Sequence, residues 1–308
     1  MYEVDEVVVF IDSGYEQAGD PEKGPSVQMS RLLQYVEAPP YLRKKLFPVH
    51  KDLKFAGLMP PVDAPHHMMH KDDRSMYREG IVTDKPAGEG KCWVDIGTFE
   101  DVRIDHPLRP GIRVTIKLTE QKDQSATFLC EAVSPTEPRE LYGMYWGYQT
   151  RLVRTFSEVF TSCPFAGPDS DGSYDVTIGH TTNRGKTAQM TKEGTVLQPM
   201  DLPTFKFPDT GGSGGKKHYL LVFGGAQGLE GCVEADESLS TVAANTDTLF
   251  DYYWNALPTN GTRAVRTEEE LLVSLCKISG IIQRATESGV DEAESQSSSG
   301  TNKKKRSK

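Results

Sequence analysis

Residues 218–230, HYLLVFGGAQGLE, combine an apolar run with a glycine-rich turn. Tyr219–Phe223 is an unbroken apolar run with the length of one buried strand, and it ends abruptly at Gly224. A second apolar and aromatic run, Leu249–Trp254, ends in the loop 255–263, NALPTNGTR. In an open α/β sheet, the loops at the carboxyl ends of strands gather around ligands, and glycine lets the backbone come close to one. The stretch therefore predicts an α/β fold with a ligand site at two strand ends.

The segment after the second loop has the pattern of a helix. Thr267 and Glu270 have the spacing of a capping box, and the acidic first turn suits the helix dipole. Four apolar residues then lie on one face: Leu271, Leu272, Leu275 and Ile278. The pattern predicts a helix that begins near Thr267, buries this face and ends at Gly280.

Upstream segments predict the rest of the architecture. Val4–Phe10 is apolar at successive positions, which is typical of a buried parallel strand. Apolar spacing predicts a helix over Val27–Glu37 and another over Glu140–Phe160. Between these helices, five short β-rich runs separated by turn residues predict a small β-barrel. The runs are Gly80–Thr83, Cys92–Ile96, Val102–Ile104, Arg113–Leu118 and Thr127–Val133.

Composition narrows the class of protein. Of the 308 residues, 37% are hydrophobic and 26% are charged, which is typical of a globular chain. No apolar run reaches transmembrane length, and the amino terminus lacks the basic region of a signal peptide, so no membrane partner is expected. The five cysteines form no C-x-x-C pair, which favours a reduced compartment. The net charge of −9 argues against coating nucleic acid by bulk electrostatics, although it leaves room for a local basic face.

A family resemblance adds to this prediction. The segments 218–230 and 249–275 resemble the two carboxy-terminal motifs of the SPOUT RNA methyltransferases, in the eukaryotic and archaeal branch with an inserted barrel domain. Seven upstream segments are similar to the same family: Val4–Phe10, Tyr41–His50, Phe55–Gly57, Asp63–His67, Tyr77–Gly80, Tyr145–Tyr148 and Tyr174–Gly185. The resemblance implies an α/β fold with a SPOUT-type trefoil knot, interrupted by an OB-like β-barrel. Such knots are rare exceptions to the rules of chain threading, so periodicity alone does not predict one.

The resemblance also implies a domain plan. A discontinuous methyltransferase domain would comprise residues 1–53 and 140–282, with the OB-like insertion at 54–139. In the family, a further strand and helix precede the strand that corresponds to Val4–Phe10, so the chain is expected to be shortened at its amino terminus. Loss of that strand would leave an unpaired sheet edge and put stability and activity in doubt.

The carboxy-terminal residues have a different composition. Residues 283–308 are rich in Ser, Glu, Asp and Asn, which predicts a disordered tail. The tail ends in KKKRSK, a basic cluster similar to a nuclear localisation signal. A nuclear protein is therefore expected, with cytoplasmic or spindle-associated locations left open.

The chemistry implied by the resemblance is methylation of a base in a structured RNA such as rRNA, with S-adenosylmethionine as cofactor. Its methyl group is already electrophilic, so the protein must align it with an acceptor, exclude water and manage the acceptor's proton. The glycines Gly224, Gly225 and Gly228 would let the backbone approach the cofactor. Glu230 would either hold the ribose hydroxyls or stay in solvent.

Other residues carried over from the family complete the implied site. The second loop, formed by Asn255, Ala256 and Leu257, would offer backbone groups to the adenine, and Arg184 would be the arginine of the active site. For the RNA, the candidate contacts are Arg263, Arg113 and Lys117. The family works as a homodimer with residues of both subunits around the cofactor, so RNA and a second copy of the chain are the expected partners. No general base is identified in the sequence.

A histidine-rich segment invites a metal hypothesis. Asp63, His66, His67 and His70 include residue types that bind zinc. Their spacing is not that of an H-E-x-x-H motif and no cysteine lies nearby, so a structural or RNA-facing loop is expected and no metal is assigned.

Two other functions remain open. An NAD-binding oxidoreductase would also have a glycine-rich turn after a strand, but these glycines follow G-G-x-x-G rather than G-x-G-x-x-G, and no clear helix is expected after them. The second alternative is a catalytically silent, RNA- or spindle-associated scaffold with the same fold. The intact cofactor loops argue against that scaffold.

Overall fold

A computed structural model describes most of the chain and shows mixed α/β secondary structure. The described residues are 2–12, 23–60, 62–67, 75–119, 129–164, 172–181, 189–191, 196–197, 217–225, 227–257, 261–262 and 265–283. Apart from the first two residues, the chain divides into two compact units, 3–9 with 22–152 and 10–21 with 153–308. Within the described ranges, no helix is long and apolar enough to cross a membrane. Of the predicted tail, 283–308, only residue 283 is described, and it belongs to a helix.

The first unit contains an antiparallel sheet flanked by short helices. Its elements are β1 (Glu6–Phe10), α1 (Pro25–Glu37), α2 (Arg43–Leu46), β2 (Tyr77–Val82), β3 (Cys92–Asp95), β4 (Val102–Ile104), β5 (Arg113–Thr119), β6 (Leu129–Val133), α3 (Glu137–Tyr142) and β7 (Gln149–Val153). β1 and β7 pair in a two-stranded sheet, and the other five strands have the order β4-β3-β2-β5-β6. Each of the five predicted β-rich runs therefore contains a strand, and residues 127–128 of the last run lie outside the described residues. The edge strands β4 and β6 approach each other, so the sheet curls.

A buried carboxylate lies on the central strand β2. Glu79 is 3% exposed and accepts hydrogen bonds from Thr115 Oγ1 and Trp146 Nε1, both at 2.6 Å. Its other oxygen accepts from Arg113 Nε at 2.6 Å. A buried charge is tolerated only when it is paired and hydrogen-bonded, and Glu79 meets both conditions.

The same arginine ties the end of α1 to this sheet. The Arg113 guanidinium donates to both carboxylate oxygens of Glu37, at 2.6 and 3.0 Å. Burial alone would raise the pKa of Glu37, but hydrogen bonds from His66 and Arg113 and the charge of Arg113 outweigh burial and lower it to about 2. Glu37 is therefore ionised at neutral pH, and Arg113 bridges two carboxylates.

The histidines of the predicted loop have structural contacts. His66 and His67 are buried, and their Nε2 atoms lie 3.0 and 2.5 Å from the backbone oxygen of Glu37. Within the described part of the chain, no group of three metal-ligating side chains is found, and His70 lies outside it. The two imidazoles thus connect their loop to the end of α1.

The second unit is built on a sheet with a parallel centre. Its elements are β8 (Val176–His180), β9 (Gln189–Thr191), β10 (Val196–Leu197), β11 (Tyr219–Phe223), α4 (Gly228–Ala235), β12 (Tyr252–Trp254) and a last helix, α5, over 267–283. The strand order is β10-β9-β12-β8-β11, and β8 is parallel to both of its neighbours. The core packs Val176, Ile178 and Trp254 against Ile278 and Ile281 of α5.

One predicted helix is wrong. The apolar spacing over Glu140–Phe160 suggests a single helix, but the chain forms the short helix α3, the strand β7 and a 3₁₀ turn at Ser157–Phe160. Helix α3 ends at Gly143, which adopts a left-handed φ of 63°. Leu141 is 62% exposed, so the spacing did not mark one buried face.

The last helix exists, but its predicted details need correction. It continues through Gly280 to residue 283. Leu271 and Leu272 are 39% and 54% exposed, while Glu270 and Ser274 are buried with Ile278. The predicted capping box is also shifted, because the Arg266 N–H donates to Glu269 at 3.3 Å. The buried face therefore includes two polar residues that periodicity excluded.

Candidate functional site

Three parallel strands end at the same edge of the second unit. In the register, both Phe223 of β11 and Trp254 of β12 pair with His180, the last residue of β8. β8 comes first in the chain and lies in the middle, with β11 on one side of it and β12 on the other. Such a reversal makes the carboxyl ends of β8 and β12 a topological switch point, where open α/β sheets bind ligands.

The glycine turn after β11 joins that strand directly to α4. A Cβ on Gly224 would lie 2.2 Å from the carbonyl carbon of Gly228, so only glycine fits there. The Gly228 N–H donates to the Gly225 carbonyl at 2.9 Å, and Gly228 has a left-handed φ of 77°. Gly225 itself is exposed, and among the described atoms its Cβ would meet just one, Asp12 Oδ2 at 3.0 Å. The turn thus presents open backbone at Gly225.

Two carboxylates flank this turn. Asp12 lies beside Gly225, and Glu230 Oε2 lies 3.0 Å from the Cβ position of Gly228. Glu230 also accepts a hydrogen bond from the Tyr253 hydroxyl at 3.0 Å. Burial and the nearby charge of Glu230 raise the pKa of Tyr253, so this hydroxyl stays protonated and donates. Paired carboxylates suit a ligand that carries hydroxyl donors and positive charge.

A buried histidine holds the loop after β12. The Ala256 N–H donates to His180 Nε2 at 3.2 Å, so the proton of the neutral ring is assigned to Nδ1. Nδ1 lies 2.7 Å from Glu270 Oε1, without the alignment of a hydrogen bond. On the other side of the loop, Lys277 Nζ donates to the Ala256 carbonyl at 2.5 Å. Two side chains of α5 and one of β8 therefore position this loop.

The backbone groups that were predicted to contact adenine form hydrogen bonds within the protein. The Ala256 N–H and carbonyl have the partners just described, and the Leu257 N–H donates to Asn255 Oδ1 at 2.8 Å. Binding of an adenine by these amides would require them to exchange partners. The role assigned to Asn255, Ala256 and Leu257 stays a prediction.

The remaining candidate residues are not gathered at this edge. Arg184 and Arg263 lie outside the described residues. Arg113 and Lys117 belong to the first unit; Arg113 is held by two carboxylates, and Lys117 Nζ donates to Glu137 at 2.7 Å. RNA contact by these two cations stays a prediction, which requires their ion pairs to open.

Several residues near the strand ends were not predicted from the sequence to belong to the site. Asp12 follows β1 as a polar residue directly after an apolar run, a signal that could have marked it. His180 and Glu270 are ninety positions apart, and only the sheet order brings them together. The expectation that no helix follows the glycines is wrong, because α4 begins in the turn at Gly228. With eight residues, α4 is too short to show clear periodicity.

A cleft of about 390 Å³ adjoins the turn through Asp12. The cleft is lined by residues 10–12, by residues 154–157, and by residues of α4 and of the segment that follows α4. In its wall, Asp236 accepts from the Ser157 N–H at 2.8 Å, and burial raises the pKa of the Cys232 thiol. Cys232 is therefore a neutral thiol at physiological pH and not a nucleophile.

His180→Phe tests the anchoring of the second loop. The change keeps a ring of similar size but removes the acceptor of the Ala256 N–H, and an unsatisfied buried amide costs about 1–3 kcal/mol. We expect a lower melting temperature by differential scanning calorimetry. The control is His218→Phe at the start of β11, where the imidazole is 30% exposed and near Asp175. Equal melting temperatures for the wild type and His180→Phe would contradict the anchoring role.

The fold and this edge define an α/β protein of the kind that binds a small ligand at the carboxyl ends of parallel strands. Residues 1–278 match the model of a family described as "Putative RNA methyltransferase". The chain belongs to this family of RNA methyltransferases.

Three curated relatives carry the name 28S rRNA (uridine-N(3))-methyltransferase. The chain is 39% identical to the protein of Drosophila melanogaster over 92% of its own length and 56% of that protein. It is 42% identical to the human protein, covering 91% of this chain and 70% of the relative. The mouse protein is also 42% identical, and the match covers 89% of this chain and 66% of the mouse protein. The chain thus spans between about half and 70% of the length of these relatives.

Proposed function

We propose that the chain is an S-adenosylmethionine-dependent RNA methyltransferase that modifies a base of rRNA. The observation that carries this proposal is the open turn at Gly225, flanked by Asp12 and Glu230 at the ends of parallel strands. Family membership supplies the reaction class. The relatives' names point to N3 of a uridine in the large-subunit rRNA as the target.

The residues at the turn fit the proposed cofactor. When bound, S-adenosylmethionine supplies an electrophilic methyl group on a positively charged sulfonium. Asp12 and Glu230 provide negative charge and hydroxyl acceptors on either side of the turn, which suits both the sulfonium and a ribose. Gly225 gives the cofactor access to backbone that a side chain would cover. The His180–Glu270 pair keeps the neighbouring loop in place.

Finer features of the architecture belong to the same proposal. The methyltransferase domain, residues 1–53 and 140–282, is proposed to have the SPOUT trefoil knot, with a homodimer sharing its cofactor sites and a nuclear location. The insertion, 54–139, is proposed to be an OB-like barrel, and the approach of β4 to β6 supports closure. The exposed Leu271 and Leu272 on α5 are available for a contact between subunits.

A silent scaffold is the second candidate. The observation that favours it is the internal bonding of the Ala256 and Leu257 amides, which leaves them no bond for a cofactor unless the loop rearranges. An NAD-binding oxidoreductase has less support, because G-G-x-x-G departs from the dinucleotide motif even though α4 follows the turn.

Methyl transfer to rRNA tests the proposed function. The full chain is incubated with methyl-labelled S-adenosylmethionine and rRNA from cells that lack this modification, and nucleosides are then resolved by mass spectrometry. We expect labelled 3-methyluridine that depends on the protein. A folded chain that binds the cofactor but labels no nucleoside would support the scaffold instead.

A further inference from the structure

A locally basic segment lies in the first unit of this acidic chain. Residues 41–60, YLRKKLFPVHKDLKFAGLMP, contain five Lys or Arg residues and one acidic residue, Asp52, whereas the whole chain carries a net charge of −9. Asp52 pairs with Arg31 of α1, so its charge is already balanced. The surface of this segment is therefore positive where most of the protein is negative.

The same segment exposes large apolar side chains. After α2, the 3₁₀ turns Lys51–Leu53 and Ala56–Leu58 follow each other and pack against α1. Three residues of this short span point outward, with Val49 105%, Phe55 65% and Leu58 84% exposed. A cluster of exposed apolar side chains marks an interaction surface more often than single exposed residues do.

Three of the four lysines in this segment have no acidic partner among the described residues, whereas the fourth, Lys45, pairs with Asp95. Lys44, Lys51 and Lys54 are exposed, and none forms an ion pair among the described residues. Lysines elsewhere in the unit differ, since Lys85 pairs with Asp101 and Lys91 pairs with Asp105. The arrangement leaves several cations available to a polyanion.

One of these cations lies over one face of the exposed aromatic ring and leaves the opposite face for a base. Lys54 Nζ lies 5.1 Å from the centre of the Phe55 ring. An aromatic face with cations beside it is the combination that binds single-stranded nucleic acid, where bases stack and phosphates pair with lysines. The charge of the segment matches a phosphate backbone, and an acidic peptide would not use the ring face in the same way.

We propose that residues 49–58, with Lys44, form a docking surface for an unpaired segment of the RNA substrate. Phe55 stacks on a base, Val49 and Leu58 contact neighbouring bases or sugars, and the three lysines neutralise phosphates. The proposal rests on the proposed function for the identity of the RNA. It adds a surface in the first unit that is separate from Arg113 and Lys117.

Binding of a fluorescent 12-nucleotide oligouridine by the full chain, measured by anisotropy, tests the surface. Phe55→Ala is expected to weaken binding about tenfold, because stacking on an aromatic ring contributes about 1–3 kcal/mol per base. The double variant Lys51→Glu, Lys54→Glu is expected to weaken binding at least as much. It should also reduce the slope of log affinity against log salt concentration by about 1.4, because each phosphate neutralised on a single strand contributes about 0.7. These side chains are exposed, so the variants should fold.

Matched controls separate local contact from general charge. Leu141→Ala removes an exposed apolar side chain elsewhere in the first unit, and Lys85→Glu with Lys91→Glu changes the net charge by the same amount as the test pair. Both controls are expected to bind oligouridine nearly as the wild type does. Equal losses in the control and test pairs would overturn the local surface, as would unchanged affinity in Phe55→Ala.

Two further measurements distinguish this proposal from the proposed function. The Phe55→Ala variant should bind S-adenosylmethionine as the wild type does and should raise KM for RNA without lowering kcat. Loss of self-association in sedimentation, with oligouridine affinity unchanged, would instead assign the surface to a second copy of the chain. If the wild type bound oligouridine through Phe55 but transferred no methyl group, the surface would stand and the methyltransferase function would fail.

Discussion

Gly225→Val is expected to abolish binding of S-adenosylmethionine, with at least a hundredfold loss of affinity, or about 2.7 kcal/mol. The added isopropyl group would cover the open backbone of the turn, while its Cβ would meet only the Asp12 carboxylate among the described atoms. Because a flexible carboxylate can move aside, the fold should remain. The measurement is isothermal calorimetry, with far-ultraviolet circular dichroism as the check on folding.

Gly224→Val is the matched control for this prediction. A Cβ at Gly224 would lie 2.2 and 2.4 Å from backbone atoms of Gly228 and Leu229, which cannot move without breaking the junction of β11 and α4. This variant should therefore lose stability as well as binding. Wild-type affinity in a folded Gly225→Val protein would show that the cofactor does not bind at this turn.

Glu79→Ala is expected to lower the free energy of unfolding of the first unit by about 3–5 kcal/mol, because two neutral donors lose their acceptor and Arg113 keeps only Glu37 of its two carboxylates. The three donors that would lose their acceptor are Arg113 Nε, Thr115 Oγ1 and Trp146 Nε1. Urea unfolding followed by tryptophan fluorescence measures the change. Asp105→Ala is the control, since the Asp105 carboxylate is exposed and its pair with Lys91 is screened by solvent.

The same network predicts the acid sensitivity of the first unit. The pKa of Glu37 falls from 4.5 to about 2 on folding, so its stabilising effect is complete above pH 4.5 and is lost as the pH falls towards 2. Stability that stays constant across this window in the wild type, or a Glu79→Ala loss no larger than that of Asp105→Ala, would contradict the buried network.

Local patterns were sufficient to predict many of the elements. The runs Tyr219–Phe223 and Leu249–Trp254 were expected to be strands, and the structure has strands at Tyr219–Phe223 and Tyr252–Trp254. Apolar and aromatic residues at successive positions can be buried on both faces of a parallel sheet. Each of the five β-rich runs of the first unit also contains a strand. In the 140–160 segment, by contrast, apolar spacing failed because Gly143 ends the helix and the chain then extends.

The candidate site also contains residues that the local sequence predicts and contacts that it does not predict. Gly224 and Gly228 were predictable because the turn directly after the strand requires glycine at both positions. Gly225 lies in the same glycine-rich run, where it leaves the backbone open. The contact of His180 with Glu270 was not predictable, since it depends on β12 crossing to the far side of β8 and on α5 packing beneath. Glu270 looked like a capping residue in the sequence, and only its burial at 7% exposure shows a different role. Long-range pairing of this kind has no local signal.

The most direct test of the proposed cofactor site is calorimetric titration of the wild-type chain with S-adenosylmethionine, with a separate titration of NAD as the control. Saturable binding of S-adenosylmethionine, with none of NAD, is the predicted result, and Asp12→Asn and Glu230→Gln should each weaken it. A folded chain that binds neither ligand, or that binds NAD alone, would contradict a methyltransferase site at the glycine turn.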